Sequence, residues 1–233
     1  MVGPVPAHLL SDNTTIEADG ELSVAGVRVS ELAADFGTPL FIYDEDHLRA
    51  RCREAVAVFG PGVAYATKAF LCVAMARLAF EEGMDLDVAT LGELHVAATA
   101  GVPAGRCVLH GNNKSIDELR TAMERGVGRI VVDSFDELDR IDAIHAETGL
   151  VADVLVRVTP GIEAHTHEFI ATGHDDSKFG FTFSTGLADR AIDRASVSPA
   201  TRLHGIHAHI GSQVFAVDSM RASAELLSEI AGR

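Results

Sequence analysis

Residues 129–149, RIVVDSFDELDRIDAIHAETG, run from a short apolar stretch into a helical pattern, and DVLVRVT follows at 153–159. RIVVD is apolar and β-branched, the composition of a strand covered on both faces. Ser134 stands where a helix would begin and Glu137 follows three residues on, the spacing of a capping box. Strand, helix, strand is the reading of this stretch. Two strands joined through a helix pair in parallel.

The unit recurs on both sides. Short apolar runs stand at 63–67 (VAYAT), 86–90 (LDVAT), 106–111 (RCVLHG) and 203–211 (LHGIHAHIG), with helical patterns such as LGELHVAATAG (91–101) between them. Strand ends recur about every 21 to 25 residues, the length that one strand, one helix and two tight loops occupy. Such a register implies a parallel sheet, doubly wound or closed as a barrel. No GxGxxG follows the first strand, which counts against a dinucleotide fold. The predicted class is α/β, a (β/α)8 TIM-type barrel. Six strands are legible where a closed barrel has eight, so a barrel truncated after about six strands is expected, ending in the helical VDSMRASAELLSEIAGR (217–233).

Residues 1–43 read differently. TTIEADGELSVAGVRVSEL (14–32) places Asp19-Gly20 between alternating runs, a hairpin signature. A short helix stopped by Gly37 and a strand PLFIY (39–43) are expected next. DEDHLRARCREAVAVFG (44–60) then reads as an amphipathic helix capped by Asp44 and closed by Gly60. Residues 1–43 are therefore expected to join a β-rich domain that lies mostly outside the chain, and residues 44–233 to form the barrel.

Composition narrows function. The 233 residues carry a net charge of −15, which repels phosphate backbones and anionic lipid and argues against nucleic-acid or membrane-surface roles. Cys52, Cys72 and Cys107 sit in apolar contexts, as small hydrophobes do in a reducing compartment. No signal-peptide pattern opens the chain and no apolar run approaches the roughly 20 residues of a membrane span. A cytoplasmic location is expected.

In barrels the chemistry collects at the C-terminal ends of the strands. Here those ends carry Lys68, Asp87 with Thr90, His110 with Asn112 and Asn113, Asp133 with Ser134, Arg157, and His207, His209 and Ser212. Lys68, in YATKAF (65–70), is either a surface lysine at a turn or an amine placed for imine chemistry. Asp133-Ser134 reads as a helix cap. His207 and His209 share a strand face and, with His165 and His167, invite a metal reading. That reading is set aside, since no carboxylate-rich partner stands at a matching strand end. Gly211-Ser212 offers backbone N–H groups and a hydroxyl suited to phosphate, and an imidazole nearby can lie flat against a heteroaromatic ring. A lysine, a phosphate seat and a ring-facing imidazole together point to pyridoxal phosphate.

The motifs YATKAF, LDVAT with Gly92-Glu93 after it, HGNNKS (110–115), THEFIATGHDDSKFGF (166–181), HAHIGSQ (207–213) and FGTPLFIYDEDHLR (36–49) resemble those of the diaminopimelate decarboxylases. These belong to the alanine-racemase-like, fold III group of pyridoxal-phosphate enzymes. The resemblance implies that Lys68 forms the imine, His209 stacks on the ring, Ser212 and the Gly211 backbone meet the phosphate, and Asp87 and Arg157 line the ring's surroundings. It further implies a small amino-acid substrate, meso-2,6-diaminopimelate, losing CO2 to give L-lysine, in a homodimer. The family's glutamate for the ring nitrogen, its glycine-rich phosphate stretch and its substrate residues are expected beyond Arg233, so the chain is expected to be an N-terminal fragment, inactive by itself. Related ornithine, arginine or carboxynorspermidine decarboxylases remain alternatives, as does a non-catalytic or regulatory pyridoxal-binding barrel.

Overall fold

The computed structural model of the chain describes residues 5–161, 178–211 and 217–232. It divides into two units, Met1–Val63 with Leu78–Met84, and Ala64–Arg77 with Asp85–Arg233.

In the first unit β1 (Thr14–Ile16), β2 (Leu22–Val24) and β3 (Val27–Arg28) form an antiparallel sheet in that order. The expected hairpin is present, with Ile16 opposite Leu22 across the Asp19-Gly20 turn. The sequence reading missed β3. It pairs Val27 with Val24 across Ala25-Gly26, both at positive φ, the backbone that a two-residue hairpin turn demands. Helix α1 (Val29–Phe36) stops at Gly37 as expected. PLFIY forms no strand: Phe41 is 86% exposed and no ladder runs through residues 39–43. Pro39 has no N–H to donate, and apolar β-formers need a partner strand to settle in that state. Helix α2 (Glu45–Phe59) begins where Asp44 accepts the His47 N–H at 3.1 Å and ends at Gly60. Arg49 ties it to Glu45, Glu81 and Glu82 at 2.8, 3.0 and 2.8 Å.

The second unit alternates strand and helix: β4 (Ala64–Ala66), α3 (Val73–Glu81, whose last turn falls in the first unit), β5 (Asp85–Val88), α4 (Leu91–Thr99), β6 (Cys107–Leu109), α5 (Ile116–Arg125), β7 (Arg129–Val132), α6 (Phe135–Thr148), β8 (Ala152–Thr159), β9 (Phe181–Thr182), α7 (Leu187–Val197), β10 (Thr201–His207) and α8 (Val217–Ala231). The six expected strands are all present and pair in parallel along β4-β5-β6-β7-β8-β10. Two-residue β9, which the sequence reading missed, pairs with β8 off this path. A doubly wound sheet reverses its strand order at a switch point. This order has no reversal, as barrel winding requires.

Helix α3 does not follow β4 directly but starts at Val73. Thr67–Ala69 is a 3-10 turn and Phe70 is extended, with its carbonyl accepting the Tyr65 hydroxyl at 2.7 Å. The core lies between the sheet and its helices. Leu86, Val88, Leu109, Ile130, Val132, Val154 and Val156 are buried with Leu94, Leu119, Leu138, Ile141 and Ile144, each contributing about 1.5–3 kcal/mol. Alternation turns Asp87 and Arg157 to the opposite face from Leu86 and Val156.

Helix starts separate two uses of one sequence signature. At α5, Ser115 accepts the Glu118 N–H at 3.2 Å and Glu118 returns to the Ser115 N–H at 2.9 Å, a closed capping box. At α6, where the box was expected, only half forms. Ser134 accepts the Glu137 N–H at 3.3 Å, but the Glu137 carboxylate goes to the Asp133 N–H at 2.9 Å instead of Ser134. Ser134 is thus the cap, and Asp133 is free for another task.

Candidate active site

The C-terminal ends of β4, β5, β6, β8 and β10 surround a cavity of about 590 Å³, within the range of small-ligand sites. Of the residues singled out from sequence, Lys68, Asp87, Arg157 and His209 all line it. Gly211 has φ +127 and is not among the lining residues, and Ser212 lies outside the described residues. So do His165 and His167; among the described residues no group of three His, Cys, Asp or Glu is placed to hold a metal ion.

Lys68 is carried on the 3-10 turn after β4, beside Thr67, whose buried hydroxyl donates to the Asp87 carbonyl at 2.8 Å. That bond pins the lysine's turn to the end of β5. Burial pushes the Asp87 carboxyl up to about 6, against the pull of the Lys68 and Arg157 charges. His110 brings Nε2 to 3.5 Å from Asp87 Oδ1 and meets His207 edge-on, ring centroids 4.9 Å apart. Burial, and then neighbouring positive charge, pushes His110 down to about 3 and His207 to about 4, and also lowers His209. The cavity therefore presents neutral imidazoles at neutral pH.

Arg157 is 8% exposed. Its Nη1 lies 3.3 Å from Asp133 Oδ1 and its guanidinium stands 4.5 Å over the Phe179 ring. The second Asp133 oxygen accepts the Gly180 N–H at 2.9 Å. Asp133 thus joins β8 to the Lys178–Phe181 stretch. Sequence reasoning missed this bridge, along with the lining roles of Glu93 and Phe179. The one available signal was an acid at a strand end, one residue before the cap.

Gly180 sits at φ +71, where a Cβ would come 2.8 Å from the Arg157 carbonyl oxygen and 3.0 Å from Thr159 Oγ1. Gly180→Ala is expected to lower stability by about 1–3 kcal/mol in urea unfolding, because the close neighbour is backbone and cannot swing aside.

The titrations set a pH dependence. His110 and His207, depressed below the unfolded value of about 6.5, contribute stability that is present above that pH and lost as pH falls toward 4 and 3. Asp87, raised above about 3.9, works in the opposite sense, losing its contribution as pH rises through 6. Two imidazoles outweigh one carboxyl between pH 6.5 and 4, so these groups together make stability fall on acidification. His110→Gln is expected to flatten that fall by roughly one proton's worth of slope, measured as urea midpoints across the window. An unchanged slope would count against the buried imidazole.

The cavity's donor set fits pyridoxal phosphate. It combines an amine on Lys68, a carboxyl on Asp87, a guanidinium on Arg157 and flat neutral imidazoles, and His207 Nδ1 is buried without a hydrogen-bond partner among the described residues. The comparisons with known proteins agree. Residues 45–231 match the family model described as pyridoxal-dependent decarboxylase, pyridoxal binding domain. The diaminopimelate decarboxylase of Mycobacterium tuberculosis is 52% identical over 226 residues, 94% of this chain and 51% of its own. That of Bacillus subtilis is 47% identical over 211 residues, 88% of this chain and 48% of its own. Among solved structures, diaminopimelate decarboxylase from M. jannaschii in co-complex with L-lysine superposes with a TM-score of 0.85 at 30% identity, over 94% of this chain and 52% of that one. The chain spans about half the length of the curated relatives it matches. The resemblance read from the motifs holds, and the chain belongs to the pyridoxal-dependent decarboxylases, with residues 45–231 forming their pyridoxal-binding domain.

Proposed function

We propose that the protein decarboxylates meso-2,6-diaminopimelate to L-lysine and CO2 in the cytoplasm, as a homodimer in its full-length form. The observation that carries this reading is the gathering of Lys68, Asp87, Arg157 and His209 around one cavity in a chain half identical to diaminopimelate decarboxylases. The lysine bound to the M. jannaschii relative supports the substrate class. The family match from residue 45, with an antiparallel sheet before it, supports reading residues 1–43 as part of a β-rich domain and 44–233 as the barrel.

Pyridoxal phosphate, when bound, supplies the electron-withdrawing ring that takes up the electron pair left as CO2 departs. Lys68 would hold its aldehyde carbon and afterwards carry a proton at Nζ. His209 would pack against the ring, and its lowered pKa keeps it an uncharged surface. Asp87, with its carboxyl raised to about 6, can hold or release a proton near neutrality beside Lys68. Arg157, pinned by Asp133, offers a fixed positive charge at the wall. Gly211 and Ser212 would meet the phosphate.

The test is release of labelled CO2 by the full-length protein with pyridoxal phosphate, from meso-diaminopimelate against ornithine and arginine. Preference for diaminopimelate supports the reading. Turnover of ornithine or arginine in its place transfers the activity to that substrate, and failure to bind the cofactor removes the reading.

A further inference from the structure

Three helices at the sheet's C-terminal end begin with a hydroxyl residue followed three positions later by glutamate: Thr90 with Glu93, Ser115 with Glu118, and Ser134 with Glu137. In each the hydroxyl caps the glutamate's N–H. Only Glu118 returns to its own cap. Glu93 reaches past Thr90 to the Ala89 N–H at 2.5 Å, and Glu137 reaches past Ser134 to the Asp133 N–H at 2.9 Å. The two shifted carboxylates therefore hold the residue that leaves the strand. Ala89 and Glu93 line the cavity, and Asp133 carries Arg157.

Glu137 has no exposed surface, so its charge demands a partner. Lys114 Nζ lies 3.0 Å from its carboxylate and donates to the carbonyls of Gly111 and Val131 at 2.6 and 2.7 Å. The Lys114 N–H donates to the other carboxylate oxygen at 3.1 Å. A helix cap alone needs none of this, since Glu118 caps α5 from the surface. The burial serves the backbone of Asp133, from which one carboxylate oxygen reaches Arg157 and the other Gly180.

We propose that Glu137 is a positioning residue that, by holding the Asp133 backbone, fixes Arg157 at the cavity wall, with Lys114 as the counter-charge that keeps Glu137 buried. The proposal rests on the reading of the cavity as a pyridoxal-phosphate site that Arg157 serves. The experiment, on the full-length protein, pairs amide hydrogen exchange without cofactor with pyridoxal phosphate titration of Glu137→Gln, Asp133→Asn and, as a control, Glu118→Gln. Glu137→Gln is expected to lower protection of the Asp133 and Gly180 amides at least tenfold while β6 keeps its own. It should also weaken cofactor binding at least tenfold and shift the bound cofactor's visible band, with borohydride still labelling Lys68. Glu118→Gln should move none of these. Wild-type protection at Gly180 together with wild-type cofactor affinity in Glu137→Gln overturns the proposal. Should Glu137→Gln not fold, Asp133→Asn, which leaves the buried pair intact, must show the same loss of affinity, and unchanged affinity there overturns it too. A full-length wild-type protein that takes no pyridoxal phosphate sinks the cofactor reading, and Gly180 exchange then decides the positioning by itself.

Discussion

In the full-length protein Lys68→Ala is expected to abolish the borohydride-fixed cofactor adduct and, on the proposed function, to lower decarboxylation on the order of 10³-fold or more, since covalent attachment and a proton carrier are lost together. Geometry supports this lysine. It lines the cavity on a turn pinned by the Thr67 hydroxyl, with Asp87 beside it. Lys114 is 2% exposed and engages two carbonyls and Glu137, so its amine is not available to a ligand. Lys178 also lines the cavity, but its ammonium stands 5.2 Å over the Phe179 ring. Lys68 is exposed in the chain, so its removal should change folding stability by no more than about 0.5 kcal/mol. Peptide mapping after borohydride reduction locates the adduct and urea unfolding checks the fold. An adduct found on Lys178 or Lys114 would overturn the assignment.

Lys114→Met is expected to be the most damaging substitution for stability, by about 3–5 kcal/mol, the loss seen when one member of a buried ion pair is removed. The Glu137 carboxylate would keep its two backbone N–H donors but lose the ammonium 3.0 Å away, and the Gly111 and Val131 carbonyls would lose theirs. Against a total stability of about 5–15 kcal/mol for a natural domain, that is a large fraction. Glu137→Gln should be milder. Burial already pulls the Lys114 pKa down, and without the carboxylate that raises it the amine can shed its proton and remain hydrogen-bonded as a neutral group. Urea denaturation of both variants checks the order, and equal losses would argue that the charges are not what the site needs.

The parallel register could be read from sequence because β-branched runs and helix caps repeat at even spacing, and a period of that kind needs no knowledge of contacts. Bringing Lys68, Asp87, Arg157 and His209 together followed from the same regularity, since residues at like ends of parallel strands share one side of the sheet. Elements without a pattern could not be read. β3 and β9 have two residues each, too few for alternation to show. PLFIY has strand composition, yet composition says nothing of whether a partner strand lies alongside. The box at Ser134 has the right letters, but where Glu137 turns depends on Lys114, which approaches from 23 residues away. The Asp133 bridge to Gly180 spans 47 residues, and locally it shows only as an acid one residue before a helix cap.

The cavity takes Lys68 from just past β4 and His207 and His209 from the end of β10, and these strands stand at opposite ends of the sheet's hydrogen-bonded path. A ligand touching both would join the two ends where no ladder among the described residues does. Its binding energy then counts as folding energy, about 2.7 kcal/mol at a hundredfold excess over Kd. Cofactor supply would set how much of the protein survives proteolysis in the cell, as well as how much of it turns over.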